Sequence, residues 1–141
     1  MTATDHWLWR LDADAWLRAA EVELQAGHAH AASRRAAVTH ARRAAGMAIN
    51  AVLAATPGEE LRWGRSYLEH LQALARADAT TLAPLPEEVR EAAARLLAIA
   101  PVAPPGLVTL ARGPHAAADE ALAAAERVAV ACAAVVAATA R

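Results

Sequence analysis

The sequence predicts a single all-α domain, and three observations support this prediction. Hydrophobic residues make up 57% of the 141 residues, and most of them are alanine, which has the highest helix propensity. The β-forming residues Val, Ile and Thr never alternate with polar residues over a stretch long enough for a strand. In the segment 34–55, Val38, Ala41, Ala45, Ile49 and Val52 recur at helical spacing, so one side of a long helix can face a core.

The first helix is expected to begin at Asp12 or Asp14 as N-cap and to end at Gly27 as C-cap, because short polar side chains favour helix starts and glycine favours helix ends. The short turn after Gly27 returns the chain antiparallel into the second helix. Residues 1–11, which include Trp7 and Trp9, are expected to form an N-terminal arm. Residues 12–141 are expected to form the helical bundle.

The second helix is the segment 34–55, which Pro57 and Gly58 terminate. A third helix is predicted from Ser66, paired with Glu69 as a capping box, to Ala77. Its core face is expected to hold Tyr67, Leu68, Leu71 and Leu74.

A fourth helix is expected from Pro86 to Ala100, since proline suits a first turn and Glu87 and Glu88 complement the helix dipole. A proline-rich linker then leads to a fifth helix that begins near Pro114 and runs almost to the C-terminus. Its second half is apolar on more than one face. Such a helix is buried centrally or shared with another subunit, and we expect a homodimer through this C-terminal helix.

Charge and cysteine content indicate a cytoplasmic protein without a membrane segment. The net charge is −1 and the single cysteine is Cys132, so no intramolecular disulfide can form and no global field attracts nucleic acid. The uncharged tract 128–140 is shorter than the roughly 20 residues that span a bilayer.

The order of several short motifs resembles the HEPN family of helical bundles. Trp16-Leu17-Arg18-Ala19-Ala20-Glu21 is similar to the opening motif of that family, and the stretch from His40 to Leu53 is similar to its second helix. Trp63-Gly64-Arg65-Ser66-Tyr67-Leu68 resembles its turn into the third helix, and Ala111-Arg112-Gly113-Pro114 its element before the last helix. The resemblance implies a five-helix up-and-down bundle. It also implies nucleotide or RNA binding, or service as partner of a nucleotidyltransferase or an antitoxin.

Arg65 and His70 match the Arg-x4-His pattern that resembles the signature of metal-independent endoribonucleases in the HEPN group. A histidine can transfer protons at the 2′-hydroxyl or the leaving oxygen, and an arginine can stabilise charge on the phosphorane. Residues five apart lie about 140° apart around a helix, so convergence requires Arg65 in the turn or a second subunit. The alternative is Arg65 on the surface and His70 in a satisfied polar contact.

His40, Arg43 and Asn50 form a second candidate, a ligand-binding set on the second helix. Their spacings place them near one side, where Arg43 could hold a phosphate and the other two could add hydrogen bonds. The alternative is a solvated face that pairs with Glu21 or Glu23 of the first helix.

No metal site or cofactor is expected. His28 and His30 lie in one turn, but no cysteine or carboxylate cluster completes a ligand set. We therefore expect a non-catalytic binding or partner module. The first alternative is a toxin-like endoribonuclease that uses Arg65 and His70, and the second is a purely structural interaction protein.

Overall fold

A computed structural model describes residues 11–56, 66–76, 86–102 and 115–139. These ranges contain five α-helices and no strand: α1 (Ala13–Ala29), α2 (Arg34–Ala55), α3 (Tyr67–Ala75), α4 (Glu87–Ala98) and α5 (Ala116–Thr139). The all-α prediction is confirmed. Most of the N-terminal arm, with Trp7 and Trp9, and the proline-rich linker from residue 103 lie outside the described residues.

The central helix of the bundle is α2. All five residues of its predicted stripe are fully buried, and every residue from Ala44 to Leu53 is buried as well. Half of these residues are alanine or glycine, which let neighbouring backbones approach from several sides. The sequence left two alternatives for α5, central burial or a shared interface, and within the described residues α2 rather than α5 holds the central place.

Side-chain caps begin the first three helices. Asp12 accepts a hydrogen bond from the Ala15 amide at 2.7 Å, which selects Asp12 over Asp14 as N-cap. Ser33 accepts from the Ala36 amide at 3.2 Å, and Ser66 accepts from the Glu69 amide at 3.1 Å. Each cap satisfies one of the amides that a helix start leaves without an intrahelical partner.

Gly27 does not end α1, contrary to the prediction. The helix continues to Ala29, and His30 is its C-cap. A Cβ atom at position 27 would lie 2.6 Å from Leu122 Cδ2 and 3.2 Å from His40 Cβ. Glycine at this point lets α1, α2 and α5 meet closely.

The buried face of α3 lacks the predicted Leu68 and includes His70 and Ala73, which were not predicted. Leu68 is exposed, whereas His70 is buried together with Leu71 and Leu74. Tyr67 is half-buried and completes the i, i+3, i+4, i+7 spacing of the inner face. His70, rather than Leu68, fits that spacing.

Two arginines of α2 donate hydrogen bonds to carbonyl oxygens at the C-terminal end of α4. Arg42 Nη2 donates to the carbonyl oxygens of Leu97 and Ile99 at 3.2 and 2.9 Å. Arg34 Nε donates to the Ala100 carbonyl at 2.8 Å. The last carbonyls of a helix have no intrahelical donor and carry partial negative charge, so part of the basic character of α2 is structural.

In α5, Val128, Cys132 and Val136 face the core, whereas Val130 points outward with 64% of its surface exposed. By length and composition alone α5 also qualifies as a candidate membrane span, with a mean hydropathy of 1.8 over 18 residues. Core helices pass the same test.

Candidate functional site

His40 and Arg43 meet at the carboxylate of Glu23, on the side of the bundle where α1 and α2 pack together. His40 Nδ1 lies 2.6 Å from Glu23 Oε2, and Arg43 Nη2 lies 3.4 Å from Glu23 Oε1. An ionised carboxylate only accepts hydrogen bonds, so it places the hydrogen of the His40 ring on Nδ1. The three side chains thus form one charge-paired unit.

Two further side chains complete this unit, and we call Glu23, His30, His40, Arg43 and Tyr67 the Glu23 cluster. The His30 ring stacks on the His40 ring with 6.1 Å between centroids and 16° between planes. Burial raises the pKa of the Tyr67 phenol; the positive charge of Arg43 lowers it and the negative charge of Glu23 raises it. The charges of Arg43 and Glu23 therefore both act on the Tyr67 phenol.

Helical geometry and one glycine explain why the cluster forms. His40 and Arg43 are three residues apart and share a side of α2, which faces Glu23 of α1. Gly46, one turn after Arg43, lies against the Cβ, Cγ and Cδ1 atoms of Tyr67. Because glycine has no side chain, α3 can approach α2 closely enough to place the Tyr67 side chain against the α2 backbone.

Accessibility differs within the cluster. The Glu23 side chain is 15% exposed to solvent, the His40 side chain 24% and the Arg43 side chain 49%. The carboxylate is therefore the inner group, and the guanidinium reaches solvent. A guanidinium has five N–H donors, and Glu23 engages one terminal nitrogen of Arg43, so the outer edge of Arg43 can contact a ligand.

Asn50 lies elsewhere. It is completely buried, and neither its Oδ1 nor its Nδ2 has a hydrogen-bond partner in the part of the chain that the structure describes. The predicted set of His40, Arg43 and Asn50 is therefore not brought together at one surface. The burial of α2 on all sides, which periodicity does not reveal, is the reason.

The predicted pair of Arg65 and His70 is described only in part, because Arg65 lies outside the described residues. His70 is only 1% exposed and packs in the core of the bundle. A nucleic acid strand bound at the surface could not reach this imidazole without movement of α3.

Sequence reasoning identified His40 and Arg43, and its alternative named Glu23 as their partner. It missed His30 and Tyr67. The signal for His30 was its place in the short turn that leads into α2. For Tyr67 the signal was Gly46 of α2, but the contact between Gly46 and Tyr67 becomes evident only when α2 and α3 pack together.

Within the described ranges, no group of three or more His, Cys, Asp or Glu residues is arranged to hold a metal ion. Cys132 is buried in α5, and burial raises the pKa of its thiol to about 12. A protonated, inaccessible thiol is a poor nucleophile and a poor metal ligand. The Glu23 cluster offers hydrogen bonding and charge pairing.

Comparisons of the chain with family models, with curated proteins and with solved structures give no match.

Proposed function

We propose that the protein is a HEPN-like, up-and-down five-helix bundle that acts in the cytoplasm as a non-catalytic binding or partner module. Its proposed ligand is a phosphate group of a nucleotide or of RNA, bound at the Glu23 cluster. The observation that carries the proposal is the pairing of His40 and Arg43 on one carboxylate, which holds the imidazole and the guanidinium in fixed positions beside solvent.

Preorganisation supports this proposal. A free arginine side chain loses rotamer entropy when it binds an anion, and that loss weakens binding. Glu23 already restricts Arg43, so less entropy remains to be lost. A phosphate oxygen can accept from the outer guanidinium nitrogens in the planar geometry that arginine favours.

Charge balance supports a weak rather than a tight site. Glu23 compensates one positive charge of the cluster, and the net charge of the chain is −1. Binding therefore depends on local donors and not on a long-range field, and it should weaken as salt rises. Such affinity suits a module that engages a ligand together with a partner protein.

The resemblance to HEPN proteins supports the choice of partner class. It implies a nucleotidyltransferase or an antitoxin that binds the same nucleotide or RNA. A module that supplies one phosphate contact to such a partner needs no catalytic groups of its own.

The alternative of a metal-independent endoribonuclease that uses Arg65 and His70 stays a prediction. The burial of His70 gives it no support from the described residues. The second alternative, a structural interaction protein, is favoured by the exposed apolar side of α5.

The proposal is tested by anisotropy of a fluorescein-labelled ten-nucleotide RNA in EDTA, with Arg43→Glu compared with Arg35→Glu. Arg35 is exposed on the same helix and serves as the matched control. Loss of a charge-assisted contact corresponds to about a tenfold or larger rise in Kd for Arg43→Glu. Equal effects of the two substitutions, or no binding by the unchanged protein, would refute the phosphate site.

The same samples distinguish the endoribonuclease alternative when the RNA is analysed on a gel. We expect intact RNA after prolonged incubation. Cleavage that disappears in a His70→Ala variant of unchanged helicity would replace the binding proposal with the catalytic one.

A further inference from the structure

His40 has one ring nitrogen inside the Glu23 cluster and one open to solvent. Its Nδ1 atom lies 2.6 Å from Glu23 Oε2. Its Nε2 atom makes no hydrogen bond to a described residue, and it is not one of the buried side-chain atoms that lack a partner. The Nε2 atom is therefore accessible, on the edge of the ring that points away from the carboxylate.

The role of this accessible nitrogen depends on the protonation state of the ring. In a neutral imidazole whose hydrogen is on Nδ1, the Nε2 atom is an acceptor and repels a phosphate oxygen. In an imidazolium, both nitrogens are donors. Only the protonated His40 ring can therefore donate a hydrogen bond from Nε2 to a phosphate while it keeps its contact with Glu23.

Protonation of His40 also changes the charge of the cluster. While the ring is neutral, the negative charge of Glu23 and the positive charge of Arg43 cancel. An imidazolium gives the cluster one net positive charge. Because His40 and Arg43 contact different oxygens of the Glu23 carboxylate, this carboxylate stabilises both cations at the same time. A phosphate therefore meets a neutral cluster in one protonation state and a cationic cluster in the other.

We propose that phosphate binding at the Glu23 cluster is coupled to protonation of His40, so that affinity rises as the pH falls from about 8 to about 5.5, the range in which histidine ordinarily changes its charge. This inference rests on the proposed function, because it concerns the regulation of the same site. By linkage, the protonated ring strengthens phosphate binding, and bound phosphate favours the protonated ring by the same factor. The protein therefore takes up a proton from solvent when it binds phosphate.

The other titratable groups of the cluster do not replace His40 in this role. The His30 ring stacks on the His40 ring, and two stacked imidazolium rings repel each other, so the pair favours a single proton. Glu23 contacts His40, whereas His30 makes no ion pair with a described carboxylate, so the proton is favoured on His40. Arg43 stays charged throughout, and burial raises the pKa of Tyr67, so its phenol stays protonated.

Helix α5 approaches His40 with an apolar side chain. A Cβ atom at Gly27 would meet both Leu122 Cδ2 and the His40 Cβ, so Leu122 is the residue through which α5 reaches this place. The acidic residues of α5 have other surroundings: Asp119 is exposed, Glu120 pairs with an arginine of α4, and Glu126 lines a groove between α1 and α5. The carboxylate that acts on His40 is therefore that of Glu23.

Anisotropy of a rhodamine-labelled ten-nucleotide oligouridylate tests the coupling at about pH 5.5 and about pH 8. The phosphodiester groups of this RNA keep their charge over that range, so a change in affinity comes from the protein. We expect the unchanged protein to bind at least about fivefold more tightly at the lower pH, because one charge-assisted hydrogen bond is added. A smaller change would overturn the coupling.

His40→Gln and its control His28→Gln show which histidine takes up the proton. Glutamine keeps an amide donor but does not titrate, so His40→Gln should bind equally at both pH values. His28 is exposed in the last turn of α1, outside the Glu23 cluster, and His28→Gln should keep the full pH dependence. His30→Phe, which retains a stacked ring, should keep it as well. Persistence in His40→Gln, or loss in His28→Gln or His30→Phe, would overturn the assignment to His40.

Titration calorimetry counts the proton in the unchanged protein and so does not depend on the folding of a variant. The binding enthalpy of the same RNA near neutral pH is measured in several buffers that differ in ionisation enthalpy, and its slope against that enthalpy gives the number of protons taken up. We expect a net uptake of at most one proton for each bound phosphate, and no uptake would overturn the coupling.

Failure of the coupling is distinguishable from failure of the proposed function. Binding that is lost in Arg43→Glu, but that shows neither proton uptake nor pH dependence, refutes the coupling and leaves the phosphate site in place. If the unchanged protein binds no RNA at either pH, or if Arg43→Glu binds as well as the unchanged protein, both proposals fail together.

Discussion

Replacing Gly46 with alanine tests whether α3 is positioned by direct contact with the backbone of α2. A Cβ atom at position 46 would lie 2.6 Å from Tyr67 Cγ and would also overlap the Cβ and Cδ1 atoms of Tyr67. Rotation of the tyrosine ring cannot remove an overlap with its own Cβ atom. The whole of α3, which is nine residues long, must therefore shift.

The magnitude follows from two opposing effects. Alanine is favoured over glycine in a helix by about 1 kcal/mol. Overpacking a tight contact costs about 1–3 kcal/mol, and the upper part of this range applies because the contact is with an atom fixed to the backbone. We expect Gly46→Ala to lower the free energy of unfolding by about 1–2 kcal/mol, or the Tm by about 3–7 °C for a chain of this size.

Gly27→Ala is the matched control. Its Cβ atom would meet Leu122 Cδ2, the end of a side chain that can rotate, and His40 Cβ at the less severe distance of 3.2 Å. The gain in helix propensity should offset most of this cost, so we expect a change within about 1 kcal/mol.

Urea denaturation followed by circular dichroism measures both variants. The phenol of Tyr67, the single tyrosine, provides a second measurement by its absorbance at 295 nm. Burial raises its pKa in the native protein, and in Gly46→Ala the pKa should fall because displacement of α3 exposes the ring. A Gly46→Ala variant as stable as the unchanged protein, or less destabilised than Gly27→Ala, would refute this account.

Three further predictions concern polar groups and the cysteine. Arg42→Met should lower the free energy of unfolding, measured by urea denaturation, by about 1–3 kcal/mol, because the Leu97 and Ile99 carbonyls lose their donor. The control Arg35→Met should change the free energy of unfolding by less than about 0.5 kcal/mol. Asn50→Leu, which keeps the branching at Cγ, should leave the free energy of unfolding unchanged or raise it by up to about 2 kcal/mol, since the buried amide has no hydrogen-bond partner in the described ranges. A loss above about 2 kcal/mol in the same assay would show that the Asn50 amide has a stabilising partner. The unfolded chain releases the Cys132 proton near pH 9, whereas the folded chain retains it to about pH 12, so stability should decline between these values. Titration of Cys132→Ala should show a smaller decline, and iodoacetamide should label native Cys132 far more slowly than unfolded Cys132.

Agreement between sequence and structure is best where the determinants are local. The bounds of α2 coincide with the predicted segment 34–55, because apolar periodicity and the following Pro57 act within a few residues. Asp12 and Ser66 cap their helices as expected, since a cap needs only a side chain and an amide three residues away.

Agreement fails where the environment comes from distant parts of the chain. Gly27 has the features of a helix end, yet Leu122 and His40 make it a contact point inside α1. Asn50 looks like a surface residue beside arginines, yet it is completely buried. An alanine-rich helix has no strongly polar side that marks solvent, so its burial depends on how many neighbours surround it.

The sequence was sufficient to predict the helical class, the bounds of α2 and ion pairs between α1 and α2. Only the tertiary structure decided that α2 is central, that Glu23 joins His40 and Arg43, and that Val130 points outward from α5. Helix formation is governed by interactions within a few residues. Burial and the assembly of a site depend on which helices meet, and in a chain of small side chains close packing decides that.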